Sequence, residues 1–448
     1  MPRKANAPLP QPLFSEPVFN EGVATPDPTV FKQPHPSDTN TYNQVQNLLK
    51  KDVVSFSAPR GKPGDVYTLE SALGAHGPAV VQEIQGAGQI VFHAAGDTGA
   101  SNVRKYGNEI SVADVLTNDF HTSAAGNRPA FFYHLGDVVY DFGESQYYYD
   151  QFYEPFRNYP APIFAIPGNH DSFVIPNTPA ANTPLSIFTR NFCAAKPVIT
   201  KEAASLHRTA MTQPGVYFTL DAPFVRIIGL FSNALEDPGV ISSQKGQATK
   251  WPAVPDLQLA YLTAQLQRIK TEKFAGAVLL STHHPPFSYK PPTNAGGAGG
   301  NHSSSAPMLR EIDTICQAQG VYPHAFLSGH AHNYQRYTRK VQFGGKGFEV
   351  PFLVCGDGGH NVVPLVQSRG GQTPPDPAIG AQANYLDPQP AVQAGGLVIE
   401  KFDHTNYGYL RVTVNKKQIR IEFHPVARPA AHGGVDTVTV DLASHTLV

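Results

Sequence analysis

Apolar residues in this chain gather into short, nearly continuous runs that stop at Gly, Asp, Asn or His. The clearest are GQIVFHAAGD, AFFYHLGD, APIFAIPGNHD, FVRIIGLFSN, GAVLLSTHHP, HAFLSGHAH and VPFLVCGDGGH. Each is of strand length and apolar at successive positions, as strands covered on both faces are. Segments of helical period lie between them. In DLQLAYLTAQLQRIK, residues Leu259, Leu262, Leu266 and Ile269 share one face, which marks a core stripe. APMLREIDTICQAQG carries Pro307 near its start and Gly320 just past its end, the expected punctuation of a helix. YTLESALG is a third helical candidate, and VVSFS a weak strand before it. From Leu397 the pattern alternates instead, in LVIEKFD, YGYLRVTV, QIRIEFHPV and DTVTVDLA, which predicts strands joined by short turns. These four are expected to complete a second sheet packed on the first. The whole reads as α/β, a four-layer α/β/β/α sandwich in which two mixed β-sheets are flanked by helices. In such sheets, ligands gather at the carboxyl ends of the strands.

Residues 1–50 are rich in Pro, Asn, Gln and Thr and show neither period, so they are expected to form an extended arm. Residues 51–448 then make one folded domain, with 397–448 as its C-terminal strands. Lys plus Arg (34) nearly balances Asp plus Glu (35), which argues against nucleic acid or an anionic membrane surface as partner. The N-terminus, MPRKANAPLPQPLF, breaks into prolines where an export signal needs an apolar stretch of about 7 to 15 residues. No run reaches the ~20 residues of a membrane-spanning helix, and a cytoplasmic location is the default expectation. Cys193, Cys316 and Cys355 are far apart and give no disulfide framework or thiolate site. The Gly- and Ser-rich TNAGGAGGNHSSS reads as a flexible loop able to wall a site.

Composition says little about chemistry; the ends of the apolar runs say more. They carry Asp97 in GDTG, Asp137 and Tyr140 in GDVVY, Asn169 and His170 in GNHD, His283 in THHPP, and His330 and His332 in GHAH. A lone Asp after a strand is usually a turn former, and a lone His is usually a hydrogen-bonded structural residue. Five such motifs in order on strand ends point instead to a shared metal centre. One carboxylate can bridge two cations roughly 3.5 to 4 Å apart while another holds only one. The mixture of carboxylate, amide oxygen and imidazole suits Fe, Zn or Mn better than Mg or Ca. An irregular turn at Gly329 would let His330 and His332 face different ions, where a regular strand would align them.

These residues resemble the calcineurin-like metallophosphoesterases and, within them, the purple acid phosphatases, over about residues 85–448. The superfamily pattern begins DxH, whereas here the third position is Gly99, as in GDxG, and the accompanying GDxxY runs from Asp137 to Tyr140. The resemblance implies that Asp97, Tyr140 and His332 hold one metal, that Asn169, His283 and His330 hold the other, and that Asp137 bridges them. A phenolate at Tyr140 favours a trivalent ion such as Fe(III), with a divalent Fe, Zn or Mn ion at the second site. Of the pair in THHPP, His283 fits the HxP pattern as ligand, although His284 satisfies it too. His93, His134, His360 and His424 match no motif and read as structural.

The implied reaction is hydrolysis of a phosphate monoester by in-line attack of a hydroxide held between two ions. His170 is placed to act as acid or as a hydrogen-bond donor to phosphate, with Asp171 orienting it, and His284 and His302 are substrate-binding candidates. The partner is a small phosphorylated molecule. A phosphodiesterase acting on nucleotides or lipids shares the same metal core, and a non-catalytic scaffold that binds phosphorylated ligands is the reading from another class. The large plant-type relatives carry an upstream β-sandwich domain, which the short Pro-rich segment before Gln89 does not supply. Their acidic optimum, secretion and dimer linkage therefore do not transfer with the motifs.

Overall fold

The parallel strand Gln89–Ala95 and its neighbours Pro129–His134 and Ile163–Ala165 form one end of a seven-stranded sheet. The sheet continues on the other side of Gln89–Ala95 through the antiparallel strands Tyr407–Asn415, Gln418–Val426, Asp436–Asp441 and Thr446–Leu447. An eight-stranded sheet runs in the order Tyr67–Thr68, Phe218–Ala222, Val225–Leu230, Ala277–Thr282, Ala325–Ser328, Lys346–Cys355, Tyr334–Phe343 and Gln393–Asp403. Its middle, from Val225–Leu230 to Lys346–Cys355, is parallel. The computed structural model describes residues 16–20, 56–61, 66–172, 185–243, 256–290, 298–299, 302, 304–368, 370–383, 392–426 and 436–448. Most of the N-terminal arm expected over 1–50, and part of VVSFS, lie outside these residues. Residues 16–20 lie against the body: the Thr209 amide donates to the Val18 carbonyl at 2.9 Å, and the Val18 amide donates to Thr209 Oγ1 at 3.0 Å.

The C-terminal strands divide between the sheets rather than completing one together. Gln393–Asp403 extends the eight-stranded sheet beside Tyr334–Phe343, and Tyr407–Asn415 crosses to pair with Gln89–Ala95. The switch occurs at 404–406, where the Asp403 carboxylate accepts the amides of Thr405 (2.9 Å) and Asn406 (3.0 Å) and reverses the chain in an Asx-type turn. Alternation identified these strands correctly but carried no information on which sheet each would join.

Helices Leu257–Thr271 and Ala306–Gln319 pack Leu262, Leu266, Ile269, Leu309 and Ile312 against Ile228, Leu230, Val278 and Leu280 of the eight-stranded sheet. The second helix ends at Gly320, whose φ of 70° closes it, the conformation glycine adopts without steric cost. Helix Val103–Thr122 covers the other sheet through Val112, Ala113 and Leu116. Its apolar stripe is thin and interrupted by the buried Glu109, so its period does not stand out in the sequence. Asn102 caps it by accepting the Lys105 amide at 3.1 Å, satisfying one of the donors a helix start leaves open. The inner faces of the sheets meet: Tyr334 stacks on Phe423 with centroids 3.9 Å apart, and Gly229 leaves the space that the Tyr133 hydroxyl enters. The result is an α/β/β/α sandwich. Among the described residues, no helix is long and apolar enough to cross a membrane.

One buried ion pair ties a helix to its sheet. Arg339 donates to both carboxylate oxygens of Asp313, at 3.0 and 2.8 Å, and the Tyr322 hydroxyl also donates to Asp313 Oδ1 at 2.8 Å. Both charged side chains are 1% exposed. Removing one partner strands the other charge in a low-dielectric interior, so Asp313→Ala is expected to cost about 3–5 kcal/mol. Urea denaturation measures this, and a loss below about 1 kcal/mol would show that the pair is replaceable.

Candidate metal centre

Three of the strand ends turn sharply through residues with left-handed backbone. Asp97, Asp137 and His330 have φ of 58°, 57° and 68°, a region that non-glycine residues occupy mainly where the surrounding structure compels it. That turn aims each side chain across the sheet ends. The neighbouring glycines make room for it. A Cβ on Gly168 would lie 2.0 Å from Asp137 Oδ1, and one on Gly329 would lie 2.6 Å from Asp97 Oδ2.

The donor atoms fall into two adjacent groups. In the first, the Tyr140 hydroxyl donates to Asp97 Oδ1 at 2.9 Å and lies 3.2 Å from His332 Nε2, which is itself 3.3 Å from Asp97 Oδ1. In the second, His283 Nε2 lies 3.1 Å from Asn169 Oδ1 and 3.3 Å from Asp137 Oδ2. Ligand atoms of Asp137, His283 and His330 all lie within 4.8 Å of one another. The two histidines of GHAH thus serve different groups, with His330 held in place by its amide donating to Asp97 Oδ2 at 2.7 Å. Gly99 is accounted for here as well: a Cβ there would lie 2.5 Å from the Val138 carbonyl and 3.1 Å from the Tyr140 ring. The phenol therefore occupies the space a side chain at position 99 would need.

Whether these residues fit a cation is decided by what they lack. Asp137 Oδ2 and His330 Nε2 are buried and have no hydrogen-bond partner, a cost of several kcal/mol that a folded chain rarely leaves unmet. Both atoms point into the nest of donors, and a cation there would satisfy them. Charge in the nest agrees. Burial lowers the pKa of His283, but the carboxylates of Asp137 and Asp97 reverse this and raise it to about 9. Burial raises the Tyr140 phenol well above the ordinary tyrosine value, and Asp137 and Asp97 add to the rise. The pocket thus favours positive charge, and a cation beside the phenol would counter the rise in its pKa.

Surrounding groups fix the donors. His283 Nδ1 donates to the Leu135 carbonyl at 2.8 Å, which leaves Nε2 for a metal. His360 stacks on Tyr140 with centroids 3.5 Å apart, and Lys105 donates to His360 Nε2 at 2.6 Å. His134 joins two motif loops, donating from Nε2 to Thr98 Oγ1 at 3.0 Å and accepting the Gly136 amide at 3.1 Å. Burial, reinforced by His283, holds its pKa down at about 3 despite Asp137. His134 and His360, which lie outside the motifs, thus pack around the donors: His134 between two motif loops and His360 against the Tyr140 ring.

Two expected roles are revised by the geometry. His284 was a candidate for substrate, yet it is fully buried, with Nε2 donating to the Leu235 carbonyl at 2.7 Å and Nδ1 2.8 Å from Ser232 Oγ. Both ring nitrogens are committed, and burial with the nearby His283 pushes its pKa down to about 3. Of the two histidines in THHPP, only His283 reaches the donor nest. Asp171 was expected to orient His170. Its carboxylate instead accepts the amides of Val138, Val139 and Gly168 at 2.9 to 3.1 Å, which organises the GDVVY turn. The acceptor that orients His170 is the Asp141 carbonyl, 2.7 Å from Nδ1. His170 Nε2 is then directed to within 4.0 Å of Asp137 Oδ2.

His302 reaches the same cavity from the Gly-rich segment, its ring 3.9 Å from that of His330. Glu236 and Asp237 line the same side and were not anticipated from sequence. Glu236 Oε2 accepts from Asn169 Nδ2 at 3.3 Å, turning the Asn169 carbonyl oxygen toward the donor group. The signal was present, since FVRIIGLFSN is another parallel strand whose carboxyl end leads into ALEDP.

The calcineurin-like phosphoesterase family profile matches residues 90–334, more than half of the chain. No curated protein matches it. Among solved structures, the purple acid phosphatase PPD1 from yellow lupin (Lupinus luteus) seeds is 14% identical with a TM-score of 0.48, covering 79% of this chain and 54% of its own. GAP50, the anchor in the inner membrane complex of Plasmodium, is 9% identical with a TM-score of 0.45, covering 78% of this chain and 88% of its own. PhoD is 13% identical with a TM-score of 0.42, covering 80% of this chain and 70% of its own. The chain thus spans about half the length of the lupin protein. With the family profile extending from the strand that leads to Asp97 to the residues just past His332, the chain belongs to the calcineurin-like phosphoesterases.

Proposed function

We propose that the protein hydrolyses phosphate monoesters at a binuclear centre held by Asp97, Tyr140 and His332 on one side and Asn169, His283 and His330 on the other, with Asp137 shared. Fe(III) suits the Tyr140 side and a divalent Fe, Zn or Mn ion the other. The observation that carries this reading is the pair of buried atoms that make no hydrogen bond, Asp137 Oδ2 and His330 Nε2, inside a nest of donors. When bound, the ions supply a nucleophile at neutral pH and neutralise charge on the phosphoryl oxygens. The chain's own residues do the rest. The Asp141 carbonyl accepts a hydrogen bond from Nδ1–H of His170, so Nε2 is the atom that exchanges a proton with the leaving oxygen or donates to phosphate.

Turnover of p-nitrophenyl phosphate against bis(p-nitrophenyl) phosphate tests the reaction class. A higher kcat/KM on the monoester is expected, and a preference for the diester would replace this reading with a phosphodiesterase. Activity is expected to disappear on chelation and to return with Fe, Zn or Mn. A metal-replete protein inert on both substrates would favour a phospho-ligand-binding scaffold instead.

A further inference from the structure

Asp237 stands on a short loop that the fold holds firmly in place. Strand Val225–Leu230 ends, Asn233 takes a left-handed φ of 84°, and its Nδ2 donates to the Pro238 carbonyl at 3.1 Å. The Val240 amide donates back to the Ser232 carbonyl at 3.1 Å, closing the loop on itself. Underneath lies His284, donating to the Leu235 carbonyl, and a Cβ on Gly239 would come within 2.4 Å of the His284 Cβ. The buried histidine is therefore a strut, and the tip it supports is Glu236 and Asp237.

That tip faces the second donor group. Asp237 Oδ1 lies 3.7 Å from His330 Nε2, and Asp237 Oδ2 lies 3.4 Å from His302 Nδ1. Ligand atoms of Asp237, His302 and His330 lie within 4.8 Å of one another, just as those of Asp137, His283 and His330 do. The two triads share His330, whose Nε2 is unpartnered while its side chain is 2% exposed. One imidazole nitrogen binds one ion, so a cation held by His330 Nε2 would be within reach of two carboxylates, Asp137 and Asp237. Asp137 is 1% exposed and Asp237 31%; the first is fixed in the core, the second borders solvent.

Resting on the binuclear reading above, we propose that Asp237 is a further protein ligand of the second ion, occupying the open side of that site until a phosphate group displaces it. A rim carboxylate in this role has two effects of opposite sign. It strengthens metal binding, because it adds an anionic oxygen donor. It weakens phosphate binding, because an incoming anion must displace it and then remain beside its charge. No purely structural role for Asp237 produces both.

The test uses the full-length protein, stripped of metal and titrated with Zn²⁺ by calorimetry, then titrated with inorganic phosphate once two equivalents are bound. Wild-type protein is expected to take two equivalents. In Asp237→Asn the second equivalent binds roughly tenfold or more weakly, since loss of even an indirect support costs about 10–100-fold. Phosphate binds the zinc-loaded variant roughly threefold to fivefold more tightly, the effect of removing one partly exposed like charge. Asp237→Glu, which keeps the carboxylate, restores much of the zinc affinity. Unchanged zinc and phosphate affinities in Asp237→Asn, with two equivalents in both proteins, would overturn the assignment while leaving the binuclear centre intact. A single equivalent in the wild type would overturn the binuclear reading itself.

Discussion

Asp137→Asn is expected to bind at most one metal ion and to lose about a hundredfold to a thousandfold in kcat on p-nitrophenyl phosphate, the scale seen when one preorganised charge-stabilising group is removed. The argument rests on what each carboxylate oxygen does. Oδ1 accepts the His170 amide at 2.9 Å, a bond that the asparagine oxygen reproduces. Oδ2, buried and without a hydrogen bond, is the atom in reach of His283 and His330. Asparagine puts an N–H₂ group there, which donates and cannot ligate. The substitution is nearly isosteric and keeps the left-handed backbone at φ 57°, a conformation asparagine tolerates well. The fold should therefore survive. Metal content by elemental analysis, together with turnover, checks the prediction. Two full equivalents in an active Asp137→Asn protein would show that the two groups of donors do not share this residue.

The second large effect is spectroscopic. Iron-loaded wild-type protein is expected to show a visible charge-transfer band that is absent from Tyr140→Phe. Tyr140 is 1% exposed, with its hydroxyl between Asp97 and His332 and its ring between His360 and His170. Phenylalanine preserves both ring contacts and removes only the oxygen, so folding is retained while the phenolate donor is lost. Because burial and two carboxylates hold the phenol protonated in the metal-free pocket, the band should develop only as iron is added. A wild-type protein that stays colourless with oxidised iron bound, or a Tyr140→Phe protein that keeps the colour, would remove tyrosinate from the centre.

Sequence made the strands, the two clearest helices and the motif residues legible, because each depends on local pattern: continuous apolar runs for buried strands, a 3.6-residue stripe for helices, a polar residue at a strand end. It also allowed GHAH to serve two donor groups, since an irregular turn was expected at Gly329. What it could not carry were relations between distant segments. Nothing near His284 says that its ring would be claimed by Ser232 and Leu235, about fifty residues away. Asp171 looked like a partner for His170 because the two are adjacent, but three backbone amides compete for its carboxylate. Helix Val103–Thr122 shows no clear period because Glu109 interrupts its buried face, and no motif contains Glu236 or Asp237.

The oxygen donors Asp97, Asp137 and Asn169 follow strands of one sheet, whereas His283, His330 and His332 follow strands of the other. Any ion in the nest is therefore a rivet through the seam between the two halves of the molecule. Its binding free energy is also a contribution to holding those halves together. Chelation should lower the melting temperature, and zinc should restore it in proportion to occupancy. Resistance to heat would then be a readout of how fully the centre is loaded.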